Sequence, residues 1–238
     1  MGRAYEVRKA SIQKTGAQKA KLYSNYAKEI YLAAKNGGTD LESNINLKRL
    51  VDKAKKSQVP SDIINRAIDK VNSGADENYT ACRYEGFGPG SSTLIVDCLT
   101  DNVNRTVGFV RPAFTKCNGK LGVENSVSHF YENLAIFIVK GYTEEELFEA
   151  LMMEDVNVKD IETDDDLVII TGDAKEYNNI RKALINFNKD IEFEVDEIQM
   201  VPLDKVKLEG EDKELFEKLL NMLDDIEDVQ NVYHNVEL

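Results

Sequence analysis

The sequence predicts an α+β chain of three domains, and three observations predict it. Residues 1–75 carry 15 Lys and Arg against 7 Asp and Glu, while residues 76–238 carry 15 against 36, so a basic head precedes an acidic body. Apolar residues recur at helical three- and four-residue steps through the head, and beyond Asp76 β-type runs alternate with helical ones. The length of 238 residues leaves room for two or three small modules at about 100–200 residues per domain.

From Met1 to Lys21 six basic residues (Arg3, Arg8, Lys9, Lys14, Lys19, Lys21) stand against one acid, Glu6, with no sustained apolar period, which predicts a flexible arm. Leu22, Tyr26, Ile30 and Ala33 or Ala34 then give a first helix, stopped by Gly37-Gly38. The capping-box pattern Thr39-Asp40-Leu41-Glu42 predicts the start of a second helix. Its apolar stripe is Leu47, Leu50, Val51 and Ala54, and Lys48, Arg49, Lys53, Lys55 and Lys56 occupy the rest of its circumference. Pro60 suits the first turn of a third helix, whose buried side is Ile63, Ile64, Ala67, Ile68 and Val71 and whose end is Asn72-Ser73-Gly74. Residues 22–73 therefore read as a three-helix unit.

In the body, Thr93–Leu99 reads as a strand, Val103–Lys116 as a helix and Val127–Tyr131 as a second strand. The elements that follow are strand Leu134–Lys140, helix Thr143–Glu154, strands Val156–Ile161 and Leu167–Thr171, helix Ala174–Asn188 and strand Ile191–Met200. Their β-α-β-β-α-β order is the split, ferredoxin-like arrangement. A last helix, Asp212–Asp224, and strand, Val229–His234, complete a second α/β module with the pieces from 79 to 133. The expected domains are a basic arm and three-helix head (1–78), a discontinuous ferredoxin-like α/β domain (79–133 and 203–238), and a second one inserted in it (134–202).

Composition excludes several function classes. The net charge is −13 and 42% of the residues are hydrophobic. No apolar run approaches the roughly 20 residues that span a bilayer, and Met1-Gly2-Arg3-Ala4-Tyr5 lacks the apolar block of a secretory signal. A cytoplasmic protein with no membrane partner is expected. Cys82, Cys98 and Cys117 are odd in number and have no C-x-x-C spacing, so reduced thiols are expected rather than disulfides or structural zinc. With only His129 and His234, a multi-histidine metal centre has too few ligands, and no metal or cofactor is expected.

No catalytic constellation emerges either. Tyr84–Gly90 is neither G-x-G-x-x-G nor a P-loop and reads as a turn. Asp164-Asp165-Asp166 falls between two strands and reads as a polar hairpin connection. Ser126, Ser128 and His129 crowd one expected strand, whose neighbouring residues point to opposite faces, so they form no activated nucleophile. The acids Glu209, Glu211, Asp212, Glu214, Glu217, Asp224, Asp225, Glu227 and Asp228 read as a solvated helix face. An enzyme is not expected.

The segments Tyr84-Glu85-Gly86-Phe87-Gly88-Pro89-Gly90, Leu99-Thr100-Asp101-Asn102-Val103-Asn104-Arg105-Thr106, Gly119-Lys120-Leu121-Gly122, Ser126-Val127-Ser128 and Val232-Tyr233-His234-Asn235-Val236 resemble the YebC/PmpR family. Asn46-Leu47-Lys48 and Val59-Pro60 extend the resemblance into the head. It implies a helical N-terminal domain, an α/β domain of separated segments and an inserted third domain. It also implies a cytoplasmic, DNA-binding transcriptional regulator, or a ribosome-associated translation factor like the related mitochondrial translational activator of cytochrome c oxidase. Most members resemble Met-Ala-Gly-His-Ser-Lys-Trp at their start. Here Tyr5 stands where the tryptophan would be, which is closer to the side branch represented by YeeN.

Lysine and arginine displace counterions condensed on phosphates. The candidate nucleic-acid contacts are therefore Arg3, Arg8, Lys9, Lys14, Lys19, Lys21, Lys48, Lys53, Lys55 and Lys56, with Tyr5, Tyr23 or Tyr31 as stacking residues if exposed. Arg105, in the first turn of its helix, is a further candidate with two open roles, phosphate contact or pairing with a nearby acid. The expected partner is DNA, with ribosomal RNA as the alternative and the ribosome or the transcription machinery as the setting. A protein-interaction scaffold without nucleic acid is the third reading.

Overall fold

The computed structural model describes residues 19–74 and 77–237. In chain order these form α1 (Lys19–Gly37), α2 (Ile45–Lys56), α3 (Ser61–Asn72), β1 (Thr80–Phe87), β2 (Thr93–Thr100), α4 (Val103–Lys116) and β3 (Lys120–Leu121). Then come β4 (Tyr131–Lys140), α5 (Glu144–Met153), β5 (Asp160–Asp164), β6 (Leu167–Asp173), α6 (Tyr177–Phe187), β7 (Phe193–Pro202), α7 (Gly210–Asp224) and β8 (Val229–His234). Residues 128–205 make one compact unit, and the described residues before and after them make the other. No helix among the described residues is long and apolar enough to cross a membrane.

In the head, α1, α2 and α3 bury Ile30, Tyr31, Leu47, Val51, Ala54 and Ile64 against one another. Full burial of each of the Ile, Leu and Val side chains is worth about 1.5–3 kcal/mol. The first helix starts at Lys19, so Lys19 and Lys21 belong to it and not to the arm. The second starts at Ile45, later than the Thr39–Glu42 pattern suggests, because Asn44 is its cap. The buried Asn44 Oδ1 accepts from the Leu47 N–H at 3.0 Å, and its Nδ2 donates to the carbonyls of Ala33 (2.9 Å) and Gly38 (2.7 Å). Gly37 is required there, since a Cβ would lie 2.6 Å from Asn44 Nδ2. Losing a cap that also satisfies two carbonyls costs about 2 kcal/mol. Asn44→Ala is therefore expected to lower the thermal midpoint by about 4–8 °C in a calorimetric scan.

The first sheet has the order β3-β1-β2-β8, every pair antiparallel. α4 and α7 cover one face, packing Val110, Phe114, Phe216 and Leu219 on Leu94, Val96 and Cys98. The Tyr84–Gly90 segment is a turn only in its second half, because Tyr84–Phe87 continues β1 and pairs with β2. The Gly88 N–H closes the turn on the Ser92 carbonyl at 2.9 Å. The expected strand Val127–Tyr131 is absent. The Glu85 carboxylate accepts the N–H groups of Asn125 (3.0 Å) and Val127 (2.7 Å), so Val127 is held in a loop, and Ser128–Phe130 form a 3-10 turn.

Residues 131–202 give the order β5-β6-β4-β7, antiparallel throughout, with α5 and α6. This is the split β-α-β-β-α-β arrangement. Phe137, Leu147, Ile170, Ile180 and Leu184 form its core, and a full capping box between Thr143 and Glu146 starts α5. The expected strand Val156–Ile161 moves to Asp160–Asp164, because the Val156 N–H caps α5 on the Leu151 carbonyl at 3.0 Å. The expected helix Ala174–Asn188 opens with a 3-10 turn before Tyr177. Asp165, with φ 56, lies in the tight turn from β5 to β6. The first sheet shares the four-strand, two-helix composition, but its central pair β1–β2 is a hairpin, whereas a helix and a strand separate β4 from β6 in the chain.

Candidate nucleic-acid interface

The cationic face of the head belongs to α2. With Leu47, Leu50, Val51 and Ala54 buried, a helix of 3.6 residues per turn leaves Lys48, Arg49, Asp52, Lys53, Lys55 and Lys56 around the outer arc. Five cations thus stand against a single acid. Lys55 and Lys56 are exposed, and Lys53 is half-buried. Lys48 lies 3.2 Å from Glu42, with both side chains at least half in solvent. Such a surface pair is worth about 0–1 kcal/mol and yields to a competing phosphate. Lys53, Lys55 and Lys56 also occupy the last turn of α2, where the helix dipole favours positive charge. By contrast α3 balances Asp62 and Asp69 with Arg66 and Lys70.

Two of the cations of α1, Lys21 and Lys28, fasten the head to the acidic body. Lys21 Nζ lies 2.9 Å from Asp224 Oδ1, Ser24 Oγ donates to Glu227 Oε1 at 3.1 Å, and Asn25 Nδ2 donates to the Val229 carbonyl at 3.3 Å. Lys28 is buried and places Nζ 3.2 Å from Asp228 Oδ1. Asp228, itself 5% exposed, accepts further bonds from Thr100 Oγ1 (3.1 Å), Thr106 Oγ1 (2.9 Å) and Arg105 Nη2 (3.0 Å). Burial pushes its carboxyl up, but the hydrogen bonds from Arg105, Thr106 and Lys28 outweigh burial and hold it below the ordinary carboxylate value.

At the join of head and body, Glu77 gives its N–H to Tyr31 Oη (3.0 Å) and its carboxylate to Lys70 (2.8 Å) and Tyr79 Oη (2.9 Å). The Lys70 hydrogen bond outweighs burial, which pushes the other way, and lowers the Glu77 carboxyl, while burial, then Glu77, push the Tyr79 hydroxyl up to about 12.

The expected contacts therefore separate. Lys48, Lys53, Lys55 and Lys56 share one helix, and Lys19 is exposed at the start of α1. Lys21 faces Asp224, and Arg105 takes the pairing role, with Asp101 (2.6 Å) and Asp228 as partners. Arg3, Tyr5, Arg8, Lys9 and Lys14 lie outside the described residues. Tyr31 is buried and offers no stacking face, while Tyr23 is partly buried and packs against the head core.

The acidic cluster is only partly a solvated face, since Asp224, Glu227 and Asp228 receive the head. Ser128 and His129 sit in a 3-10 turn, where the His129 ring lies 3.9 Å from that of Phe130, tilted by 45°. All three thiols are free, and Cys82 faces Cys98 across β1–β2. Burial pushes the Cys98 thiol up, which disfavours its reactive thiolate.

Comparison with known proteins covers both parts of the chain. The pattern described as the TACO1/YebC protein N-terminal domain matches residues 3–74, and that of the TACO1/YebC second and third domain matches residues 79–236. A protein of Pseudoalteromonas translucida named probable transcriptional regulatory protein is 52% identical over 237 residues, covering 100% of both chains. Relatives with the same designation in Saccharophagus degradans and Vibrio campbellii are each 51% identical, again over 100% of both chains. The crystal structure of a conserved hypothetical protein, Aq1575, from Aquifex aeolicus superposes with a TM-score of 0.75 at 32% identity, covering 94% of this chain and 92% of that one. Matched from head to last strand, the chain belongs to the TACO1/YebC family.

Proposed function

We propose that the chain regulates gene expression by binding nucleic acid through its basic head, and that its target is duplex DNA in a transcriptional role. The observation that carries this reading is the outer arc of α2, where Lys48, Lys53, Lys55 and Lys56 gather on a helix whose only acid is Asp52. Arg3, Arg8, Lys9, Lys14 and Lys19 extend the same charge along the chain. The designation of its relatives as transcriptional regulatory proteins supports DNA as the target. In this proposal residues 1–78 bind, residues 79–133 with 203–238 hold the head at a fixed angle, and residues 134–202 recruit a protein partner. No catalytic step is assigned.

A second reading, a translation factor that meets ribosomal RNA, is favoured by one observation. Arg49 donates to Asn46 Oδ1 at 3.0 Å, so the α2 side chains best suited to read base edges engage each other. What remains is lysine, which positions a phosphate backbone without specifying sequence. The two readings separate by sequencing the nucleic acid crosslinked to the protein in cells. Recovery of discrete promoters is the expected result; recovery of ribosomal RNA, with co-sedimentation on ribosomes, replaces DNA by RNA, and recovery of neither overturns both.

A further inference from the structure

The body carries a second cationic surface, on α4. Its sequence contains Arg105, Arg111 and Lys116 and no acid, whereas its neighbour α7 carries Glu211, Asp212, Glu214, Glu217 and Asp224. Thr106, Val110, Ala113 and Phe114 are buried, which turns Asn104, Gly108, Arg111, Thr115 and Lys116 outward. Arg111 and Lys116 are exposed, and the helix's ion pairs to Asp101 and Asp228 are made by Arg105. On the same stripe as Lys116, two turns earlier, Phe109 is 56% exposed.

At the centre of this face stands Gly108, where a Cβ would meet nothing within 4 Å. Glycine is a poor helix former, and no packing among the described residues calls for it there. One turn later Pro112 lacks the N–H that would have bonded to the Gly108 carbonyl. The result is an exposed stretch of bare backbone, flanked by two cations and a ring. A phosphodiester chain can approach such a surface closely, and an unstacked base can lie on the ring. Duplexes offer no such base.

We propose that the outer face of α4 binds a single-stranded segment of nucleic acid, with Arg111 and Lys116 on phosphates, Phe109 stacked on a base and Gly108 admitting the backbone. This rests on the reading of the head as nucleic-acid binding and adds a second contact to it. The two lie in one compact unit, since Arg105 of α4 and Lys28 of α1 share Asp228.

The test uses the full chain and fluorescent 20-nucleotide single strands of RNA and of DNA, with a DNA duplex of the same length beside them, titrated at several salt concentrations, with thermal melting as the control for folding. Arg111→Gln with Lys116→Gln is expected to reduce the salt slope by about 1.4, at about 0.7 per phosphate. Phe109→Ser is expected to weaken binding about fivefold or more, and Gly108→Gln to weaken it with no loss of melting temperature. The RNA and DNA arms identify the source of the strand. If these variants bind like the parent while Lys53→Glu/Lys55→Glu/Lys56→Glu does not bind, the α4 site is overturned and the head reading stands. If the parent binds neither strand nor duplex at low salt, both are overturned.

Discussion

Replacing Asp228 with alanine is expected to destabilise the protein by about 3–5 kcal/mol, the cost of leaving a buried partner charge uncompensated. Lys28, itself buried, loses its carboxylate, and Thr100, Thr106 and Arg105 lose an acceptor in the same step. The loss is directional. Amide exchange should accelerate along α1, which Lys28 anchors, and stay unchanged in residues 131–202, whose core is separate. Equal loss of protection in both regions would contradict the role of Asp228 as the fastening of head to body.

The same carboxylate sets a pH dependence. Its folded pKa lies below the ordinary 3.8, so the stability it contributes is complete above that value and disappears as the pH falls through the lower, folded one. Titrating the melting temperature from pH 6 downward should therefore show a loss in acid that Asp228→Asn largely removes.

The second large effect concerns binding. Lys53→Glu, Lys55→Glu and Lys56→Glu together turn the last turn of α2 from cationic to anionic. Three lost phosphate contacts lower the duplex salt slope by about 2.7, at about 0.9 per contact, and the added repulsion brings the expected loss of affinity to about 10²-fold or more in moderate salt. Acids in the last helical turn also oppose the dipole by about 0.3–1 kcal/mol each. The neutral Gln triple variant, which keeps helix propensity, isolates the charge effect and should fall between parent and Glu variant. Equal binding by all three proteins, measured by fluorescence anisotropy, would remove α2 from the interface.

Local chemistry made much of this fold legible in the sequence. Val103–Lys116 matches the observed α4 because Asn102 caps it and its period is regular, and Val229–His234 matches β8. Errors arose where a distant group decides a local conformation. Glu85 takes the amide of Val127 from 42 residues away, and Asn44 caps α2 because it is buried against the end of α1.

The candidate site divides along the same line. The lysines of α2 were visible from their spacing. Nothing in the sequence says that Lys28 meets an aspartate 200 residues later, or that three members of the acidic cluster are docking groups. Charge patterning reveals which surface is rich in cations, while only the packed structure reveals which of them are already committed.

The most direct measurement is photocrosslinking of the full-length protein to nucleic acid, with the modified peptides located by mass spectrometry. Adducts concentrated in residues 45–56 and reduced by the α2 charge reversal are the predicted result. Adducts confined to residues 128–205, or unchanged by the reversal, would contradict it.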